Sequence, residues 1–528
     1  MTENYKIGLD FGTTNSILTY LDNGLLTAFK YGTPGQEDQY IPSFIAYDEG
    51  IIEIGTPARN SATNPQIESY GNFKMQLPKV HAESSSRSPF EVTTDYLKEL
   101  LFSGENCFSQ KQGNISELVI SVPEVWLRDA ENKGREDLYE IASQFNLSSI
   151  RLVSEPVAAA AYYTWKMQEE AQKSGQSAFQ GNLLVCDLGG GTFDVSLCKI
   201  SGDNNVEVLY FHGQGKQGLK SAGVAFDRQC VQIAYQKKHG EFLVENEAKF
   251  NHLLRDFEST KLNSHRKSSK KLENFLKDPD SYTKDIYSFG GGDYTVTGKE
   301  VQQAFEPIRE GIEKVLEGVK QWLADKQTKF DRLLLVGGFS QFILAQKAIT
   351  DSLNIGKDDS RFDKQLNNTS SAYAISYGAC LIANGLIEPT EIYPHTIGII
   401  VEQLDPNCKK DRKQITLIKG GLPLGKLTQI NWYPKKLEAK SKSLKIPLWI
   451  QPNSQGNIYE ENTRDSIVLP NHSSKALYQV GMQVSSSQIA YLIIKEINSD
   501  KEVKYELGNV IATLFPTFLE INENDHNS

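Results

Sequence analysis

Two short stretches of the chain place carboxylates beside turns of glycine and threonine. In IGLDFGTTNS, Asp10 precedes a turn at residues 12–14, and in LLVCDLGGGTFDVS, Asp187 and Asp194 flank a turn at residues 189–192. The backbone N–H groups of such turns form concave nests that bind phosphate oxygens. Carboxylates beside a nest suit hydrated Mg²⁺, which prefers oxygen ligands and keeps several waters. The residue types therefore indicate a clamp that grips a polyphosphate from two sides.

Each of these turns is predicted to join two strands. From Phe193 to Leu197 apolar and polar residues alternate, which is the period of a strand. A Rossmann or P-loop fingerprint requires a helix after the glycines, and the chain has no GxxxxGK[ST] motif. Aligning Asp10 with Asp187 also aligns Gly12 with Gly189. The repeated pattern predicts two similar lobes that arose by a distant internal duplication.

Strand and helix patterns alternate between and after the two turns. LVISVPEVW predicts a buried strand up to Val122, and a helix is expected from there to Phe145. LVSEPVAAAAYYTW predicts an alanine-rich helix beginning near Glu155, and DRLLLVGGFSQ predicts a strand followed by a helix with Ser340 as its N-cap. This alternation is typical of an α/β domain. Beyond Pro389 the runs become short and alternating, which predicts a sandwich-like all-β domain.

Composition limits the function classes that fit. A chain of 528 residues is too long for one core, and its net charge of −10 argues against a nucleic-acid partner. The basic run HRKSSKK at residues 265–271 is interpreted as a solvated face. No signal pattern or membrane-length apolar run is present, and the six cysteines form no CxxC pair. We therefore expect a cytoplasmic protein without disulfides and without membrane contact.

Together these motifs resemble the actin/hexokinase/heat-shock ATPase superfamily and, within it, the heat shock protein 70 family of DnaK-like chaperones. The resemblance implies an α/β, two-lobed, actin-like ATPase domain with duplicated ribonuclease-H-like lobes, followed by a small all-β, sandwich-like domain. We assign residues 1–387 to the nucleotide-binding ATPase domain and 388–394 to a linker. Residues 395–522 would form a β-sandwich that resembles a substrate-binding domain, and 523–528 a polar tail.

The resemblance also implies ligands and roles for individual residues. ATP or ADP would bind with Mg²⁺, held through water by Asp10 and Asp187. The phosphates would lie against Gly12, Thr13, Thr14, Gly189, Gly190, Gly191 and Thr192. Hydrolysis would depend on Lys74, Glu155, Thr192 and Asp194. The adenosine would lie against Glu258, Lys261, Ser264, Gly337, Gly338 and Phe339.

The sequence also departs from the pattern of that family. Phe339-Ser340-Gln341 stands where the family has Ser-Thr-Arg, so the arginine that stacks on adenine is missing, and the serine near Lys261 is displaced to Ser264. The linker carries Pro389 and two glutamates, which we expect to disfavour docking in an apolar groove. No helical lid follows the β domain in this sequence. These features resemble divergent, lidless members of the family.

The sequence leads to one principal hypothesis and two alternatives. The principal one is an ATP-binding, ATP-hydrolysing chaperone whose β domain binds unfolded or extended polypeptide under nucleotide control, with co-chaperones as possible partners. The first alternative is a slow or non-hydrolysing nucleotide switch whose β domain binds one dedicated protein partner. The second, a sugar kinase or a filament-forming actin relative, is disfavoured because no motif for a sugar pocket is found and filament formers usually lack the β domain.

Overall fold

A computed structural model describes most of the chain. The described residues are 4–62, 64, 66–77, 86–124, 126, 132–202, 204–214, 222–244, 248–356, 359–362, 373–404, 410–439, 441–454, 457–473, 476–499, 501–508 and 510. The predicted polar tail at 523–528 lies outside these residues.

The first part of the chain forms lobe I. Its strands are β1 (Asn4–Phe11), β2 (Asn15–Asp22), β3 (Leu25–Ala28), β4 (Ile41–Pro42), β5 (Phe44–Asp48), β6 (Ile51–Ile54), β7 (Glu68–Gly71), β8 (Asn114–Val122) and β9 (Ser149–Ser154). Its helices are α1 (Gly55–Ser61), α2 (Pro89–Lys98), α3 (Phe108–Lys111), α4 (Asn132–Ser143) and α5 (Glu155–Ser174).

Lobe II follows. Its strands are β10 (Gly181–Leu188), β11 (Phe193–Ile200), β12 (Asn205–Gln214), β13 (Tyr287–Phe289), β14 (Tyr294–Val296) and β15 (Arg332–Val336). The helices in this part of the chain are α6 (Gly223–His239), α7 (Ala248–Asn263), α8 (His265–Lys277), α9 (Gly298–Asp325), α10 (Ile343–Ser352) and α11 (Ala374–Ala383).

The sheets of the two lobes share one topology. In lobe I the order is β3-β2-β1-β8-β9, with β1 antiparallel to β2 and parallel to β8. In lobe II the order β12-β11-β10-β15 repeats this arrangement, with β10 antiparallel to β11 and parallel to β15. Each glycine turn therefore joins two antiparallel strands, as the alternating pattern predicted. The mixed α/β architecture of the lobes is confirmed.

Helices α5 and α11 lie between the two sheets and bring the lobes together. Their contact is close because small residues line it: a methyl group on Gly378 of α11 would lie 1.7 Å from the Ala158 carbonyl oxygen of α5. Gly8 of β1 has the same role, since a methyl group there would lie 2.1 Å from the Cys380 nitrogen. The alanine-rich run after Glu155 is buried in this core. This packing fixes the position of Glu155 at the start of α5.

The predicted N-cap at Ser340 is wrong. A 3₁₀ turn at Gly338–Gln341 separates β15 from α10, which begins at Ile343 without a side-chain cap. The Ser340 hydroxyl instead donates to the Gly337 carbonyl oxygen at 2.7 Å. The glycine pair after β15 therefore leads into a tight turn, which positions Phe339 and Phe342 against the core of lobe II.

The C-terminal region is rich in strands. They are β16 (Glu388–Thr390), β17 (Ile392–Tyr393), β18 (Thr396–Leu404), β19 (Lys410–Ile418), β20 (Leu422–Pro423), β21 (Asn431–Trp432), β22 (Leu437–Glu438), β23 (Ser443–Leu444), β24 (Pro447–Gln451), β25 (Tyr459–Asn462), β26 (Ile467–Val468), β27 (Leu477–Val484), β28 (Ala490–Glu496) and β29 (Glu502–Glu506). The main sheets have the orders β19-β18-β24-β25 and β21-β27-β28-β29 and share one apolar core. We call the part from β18 onward the β domain.

The linker is docked, contrary to the expectation from its proline and glutamates. Strand β16 adds to lobe II as an edge strand parallel to β12, with Pro389 opposite Val206. Proline is tolerated at an edge because no further strand needs its missing N–H. Glu388 pairs with Arg151 of β9 at 3.0 Å. The glutamates do not oppose docking because arginines of lobe I, rather than an apolar groove, face them.

The β domain also contacts lobe I directly. The fully buried Arg135 of α4 donates from Nε to the Ser487 carbonyl oxygen at 2.6 Å, and the Leu152 amide of β9 donates to the Ser487 hydroxyl at 3.3 Å. Glu391 of the linker accepts from Gln488 Nε2 at 2.8 Å. We call these five residues the docking interface. It joins lobe I, the linker and the turn between β27 and β28.

Among the described residues, none of the helices has the length and apolar character needed to cross a membrane. The cysteines at 107, 186, 198, 230 and 380 are buried and form no disulfide. Cys408 lies outside the described residues.

Candidate nucleotide-binding site

The two glycine turns meet at a cleft between the lobes. A cavity of about 280 Å³ opens there. Of the sequence-predicted residues, those that line it are Asp10, Gly12, Thr13, Thr14, Lys74, Glu155, Asp187, Gly189, Gly190, Gly191, Thr192, Glu258, Lys261, Gly337, Gly338 and Phe339. The structure thus brings together residues that are more than 300 positions apart in the sequence.

The turns approach each other across the cleft, which explains their lack of side chains. A methyl group on Gly190 would lie 2.8 Å from the Thr14 hydroxyl oxygen of the opposite lobe. A methyl group on Gly191 would lie 2.8 Å from the Met75 sulfur. Only glycine leaves the backbone N–H groups of this turn accessible from the cavity while lobe I stands so close.

The floor of the cavity carries several carboxylates and one ammonium group. Asp10 accepts a hydrogen bond from the Ser121 hydroxyl at 3.1 Å, and Glu155 accepts from Lys74 Nζ at 2.6 Å. Lys74 is 1% exposed and also lies 5.7 Å from the centre of the Phe11 ring. The Trp126 ring centre lies 5.8 Å away, so the ammonium group is held under the cleft by one carboxylate and two aromatic faces.

The buried carboxylates raise one another's pKa. Burial raises the pKa of Asp10 to about 7, the charge of Glu155 adds to the rise, and Lys74 opposes it. Burial also raises the pKa of Asp187 well above its usual range, and the charges of Glu155 and Asp194 add to this. The single lysine therefore leaves the cluster short of positive charge.

This cluster fits a hydrated cation. Asp187 Oδ2 is buried and has no hydrogen-bond partner among the described residues, so it has an acceptor site available. No group of three or more His, Cys, Asp or Glu side chains in that part of the chain is arranged to bind a metal directly. Carboxylate oxygens such as those of Asp10 and Asp187 suit Mg²⁺, which prefers oxygen ligands and keeps several of its waters.

Asp194 lies behind this cluster. It stands opposite Asp187 across the β10–β11 hairpin and is completely buried. A methyl group on Gly213 of the neighbouring strand would lie 2.5 Å from Asp194 Oδ1, so the glycine leaves room for the carboxylate. Asp194 is not among the residues that line the cavity. Its contact with a ligand remains a prediction.

At the end of the cavity where adenosine is predicted to bind, Glu258 and Lys261 contact residues of other elements. Glu258 faces Arg59 of lobe I at 3.5 Å, which closes an ion pair across the cleft. Lys261 donates to Asp227 at 2.6 Å, and burial raises the pKa of Asp227 to about 6 although Lys261 lowers it. Both residues line the cavity, and their predicted contact with the adenosine stays a prediction.

Ser264 is not placed at the cavity. Its hydroxyl donates to the Thr260 carbonyl oxygen at 2.6 Å, as a helical serine commonly does. His265 lines the cavity instead. His265 was not predicted as a site residue, and it begins α8, whereas Lys261 lies near the end of α7.

The wall that would face the base is aromatic. Phe339 is stacked on Phe342 with a centroid distance of 5.2 Å, and Lys261 Nζ lies 5.7 Å from the Phe339 ring centre. Gly337 has φ +81, and a methyl group there would lie 2.4 Å from Asp187 Oδ1. Phe339 and its neighbours thus occupy the wall where the sequence lacks the expected arginine. Gln341 lies in the same turn.

A second cavity, of about 320 Å³, adjoins this cleft on the side of Arg59. It shares Thr14, Asp227 and Glu258 with the first cavity, and Arg228 and Arg255 also line it. Burial, together with the charge of Arg59, lowers the pKa of Arg255. The cleft therefore continues from the phosphate turns toward a basic opening between the lobes.

The family comparison agrees with this geometry. A family model described as "Hsp70 protein" matches residues 67–392. The match includes Lys74, Glu155, the second glycine turn and the Gly337–Gly338 pair, and it ends within the linker. It covers more than half of the chain. The chain therefore belongs to the Hsp70 protein family.

Proposed function

We propose that the chain binds and hydrolyses ATP with Mg²⁺ and that its β domain binds extended polypeptide under nucleotide control. Family membership supports an ATP-binding, chaperone-type role. The observation that carries the proposal is the cluster of buried carboxylates between two glycine turns, with Asp187 Oδ2 unpartnered and Lys74 as the single ammonium group. Such a cluster is costly to bury unless a cation and a phosphate chain complete it.

The residues of the cleft would have different roles in phosphoryl transfer. Asp10 and Asp187 would hold Mg²⁺ through water, and the ion would neutralise charge on the phosphates. The amides of both turns and the hydroxyls of Thr13, Thr14 and Thr192 would donate to phosphate oxygens. Because phosphoryl transfer depends mainly on positioning and on charge stabilisation, these donors can supply most of what the reaction needs.

Lys74 and Glu155 are suited to act together. Their 2.6 Å contact orients the ammonium group under the cavity. When a phosphate oxygen comes within reach, Lys74 can donate to it, and Glu155 then becomes an acceptor for the attacking water. Asp194 would help to orient that water from behind Asp187. The proton released by the water would pass to this group of carboxylates.

The same glutamate connects the cleft to the β domain. Glu155 begins α5 directly after β9, and β9 carries Arg151 and Leu152, which contact the linker and Ser487. A displacement of Glu155 on nucleotide binding would therefore act on a strand that also holds the docking interface. This continuity supports nucleotide control of the β domain.

ATP turnover by the purified chain tests the proposal. We expect slow Mg²⁺-dependent hydrolysis that is lost in Asp10→Ala and in Thr192→Ala, while an exposed control, Asp48→Ala, keeps it. Tight Mg²⁺-dependent ATP binding without turnover would favour the nucleotide switch with one dedicated partner. If neither binding nor turnover were measured in the folded chain, the proposal would be wrong.

A further inference from the structure

One segment of the β domain has a charge opposite to that of the whole chain. Residues 433–446 connect β21 to β24, and we call them the lysine segment. The sequence of this segment contains five lysines and a single acidic residue, Glu438, in a chain with a net charge of −10. A local excess of this kind creates a positive field at the surface.

The lysines of this segment are available to a partner. Lys435, Lys436, Lys442 and Lys445 are exposed, and none forms an ion pair with a described residue. The nearby cations of β19 differ, since Arg412 pairs with Glu460 at 3.3 Å and Lys413 with Asp411 at 3.9 Å. Four positive charges of the lysine segment are therefore left for an external anion.

The lysine segment lies at the end of the β domain that points away from lobe I. Strand β22 of the segment pairs with β27 at Leu477 and Tyr478, the first residues of β27. The docking interface uses Ser487, which follows the other end of β27 at Val484. A strand of this length separates its two ends by roughly 24 Å. A partner can therefore reach the lysine segment while the β domain is docked.

The backbone of the segment offers a second means of recognition. Among the described residues, β22 pairs only with β27, so the outer edge of β22 is open. An open edge can accept an extended polypeptide through main-chain hydrogen bonds. Lys435 and Lys436 directly precede this edge, and Glu438 lies within it.

We infer that the lysine segment selects extended polypeptides rich in aspartate and glutamate. The inference rests on the proposed function, in which the β domain binds polypeptide, and it adds the charge class of the client. Main-chain pairing along β22 would hold the peptide, while the lysines attract its carboxylates and repel basic sequences. Electrostatic complementarity of this kind acts mainly on specificity and association rate.

A polypeptide fits this surface better than a single-stranded nucleic acid does. Proteins that bind single strands stack bases on exposed aromatic rings between basic side chains. The one aromatic residue of the segment, Tyr433, is only 4% exposed. The segment thus combines positive charge with an open strand edge and lacks a stacking surface.

Fluorescence anisotropy of two labelled peptides tests the inference on the full chain. Both peptides carry a Leu-Val-Leu-Val core, flanked by Glu-Glu in one and by Lys-Lys in the other. At about 0.1 M salt we expect the glutamate peptide to bind at least about tenfold more tightly, and the difference to shrink at about 1 M salt, where the Debye length falls to roughly 3 Å. Equal binding, or tighter binding of the lysine peptide, would overturn the inference.

A matched pair of variants controls for net charge and folding. One variant reverses the lysine segment by Lys435→Glu, Lys436→Glu, Lys442→Glu and Lys445→Glu. The other makes the same charge change at exposed lysines of lobe II, by Lys314→Glu, Lys320→Glu, Lys326→Glu and Lys329→Glu. We expect only the first to lose the preference, with ATP binding intact in both. Loss in both, or in neither, would overturn the inference.

Three outcomes show whether the inference fails alone or together with the proposed function. If oligo(U) RNA binds more tightly than the glutamate peptide and depends on the same four lysines, the segment is a nucleic-acid surface and the inference is wrong. If neither peptide binds although ATP binding is retained, the polypeptide part of the proposed function fails together with the inference. If both peptides bind equally, only the inference fails.

Discussion

The nucleotide cleft and the docking interface both bury ionic side chains, but they balance charge differently. In the cleft, Asp10, Glu155 and Asp187 share one ammonium group, that of Lys74. At the docking interface, Arg135 faces Glu391. A buried cluster that lacks countercharge requires a ligand to complete it, whereas one with matched charges can hold two parts of the chain together. Charge balance thus distinguishes a binding site from a structural contact.

The largest expected effect follows from removing a carboxylate of the cleft. Asp187→Asn should lower Mg²⁺-dependent ATP turnover by about 10² or more, because one holder of the hydrated ion is lost. The free energy of unfolding without nucleotide should not fall, since the variant removes a buried group whose pKa is already raised by burial. Turnover assays and thermal unfolding measure the two effects.

Asp48→Asn is the control for this substitution, because Asp48 is exposed and lines neither cavity. If Asp187→Asn kept full turnover and destabilised the chain by several kcal/mol, the cleft would resemble the docking interface. The distinction drawn from charge balance would then be wrong.

The second effect concerns the docking interface. Arg135→Met should destabilise the docked arrangement by about 3–5 kcal/mol, because it removes the larger of the two arginine charges that offset the buried Glu391 carboxylate. Faster proteolysis of the linker at residues 388–394 would report the loss of docking. ATP binding should survive, since Arg135 does not line the nucleotide cavity.

The double variant Arg135→Met, Glu391→Met tests the cause. If the loss comes from the unpaired charge, removing both partners should restore a large part of the docking. Equal damage in the single and double variants would instead indicate that the shape of Arg135 matters more than its charge.

The third expectation is a pH dependence of docking. Burial raises the pKa of Glu391 above its ordinary value of 4.5, while Arg135, Arg151, the Ser154 amide and Gln488 oppose the rise. A carboxyl group whose pKa is higher when docked takes up protons on docking. The stabilisation of docking by this proton uptake is fully present below pH 4.5 and is lost as the pH rises through the pKa of the docked carboxyl group.

Docking should therefore strengthen as the pH is lowered toward 4.5, the ordinary pKa of this carboxyl group. Energy transfer between dyes on lobe I and the β domain would follow it. In Glu391→Gln this part of the pH dependence should disappear. Docking that weakens on acidification in the parent chain, but not in Glu391→Gln, would contradict the assignment.

The smallest effect is expected at the ion pair between Glu388 of the linker and Arg151 of β9. Glu388 is mostly exposed and pairs with Arg151 at 3.0 Å. Because solvent screens such a pair, Arg151→Ala should weaken docking by only about 0.2–1 kcal/mol. The same energy-transfer measurement applies, with the exposed Arg464→Ala as a control. A loss as large as that of Arg135→Met would mean that the linker strand, rather than the buried cluster, holds the domains together.

The cleft was largely predictable from sequence because its signals are local. Asp10 and Asp187 follow apolar runs and stand just before glycine turns, so a few residues predict the hairpin and its chemistry. Family resemblance extended this to Lys74 and Glu155, which the structure places 2.6 Å apart. The predicted roles of these residues in catalysis remain to be tested.

The docking interface was not predictable, because its partners come from distant segments. The linker glutamates appeared unfavourable for docking until the fold brought Arg135 and Arg151 beside them. The predicted N-cap at Ser340 was wrong for a related reason, while the role of Ser264, whose hydroxyl is similarly engaged, stays a prediction. Both hydroxyls found a carbonyl oxygen three or four residues away, which a motif comparison does not anticipate.

The pairing of β16 with β12 sets the length of the tether between the lobes and the β domain. With Glu388–Thr390 held in the lobe II sheet and Ile392–Tyr393 paired with β20, Glu391 alone lies between the two attachments. If β16 detached, the free chain would run from Ala383 to Ile392 and reach roughly 30 Å. A short tether keeps the effective concentration of the β domain at the docking interface high. Release of β16, a strand of three residues, would therefore lower this effective concentration and allow a docking interface of modest strength to open.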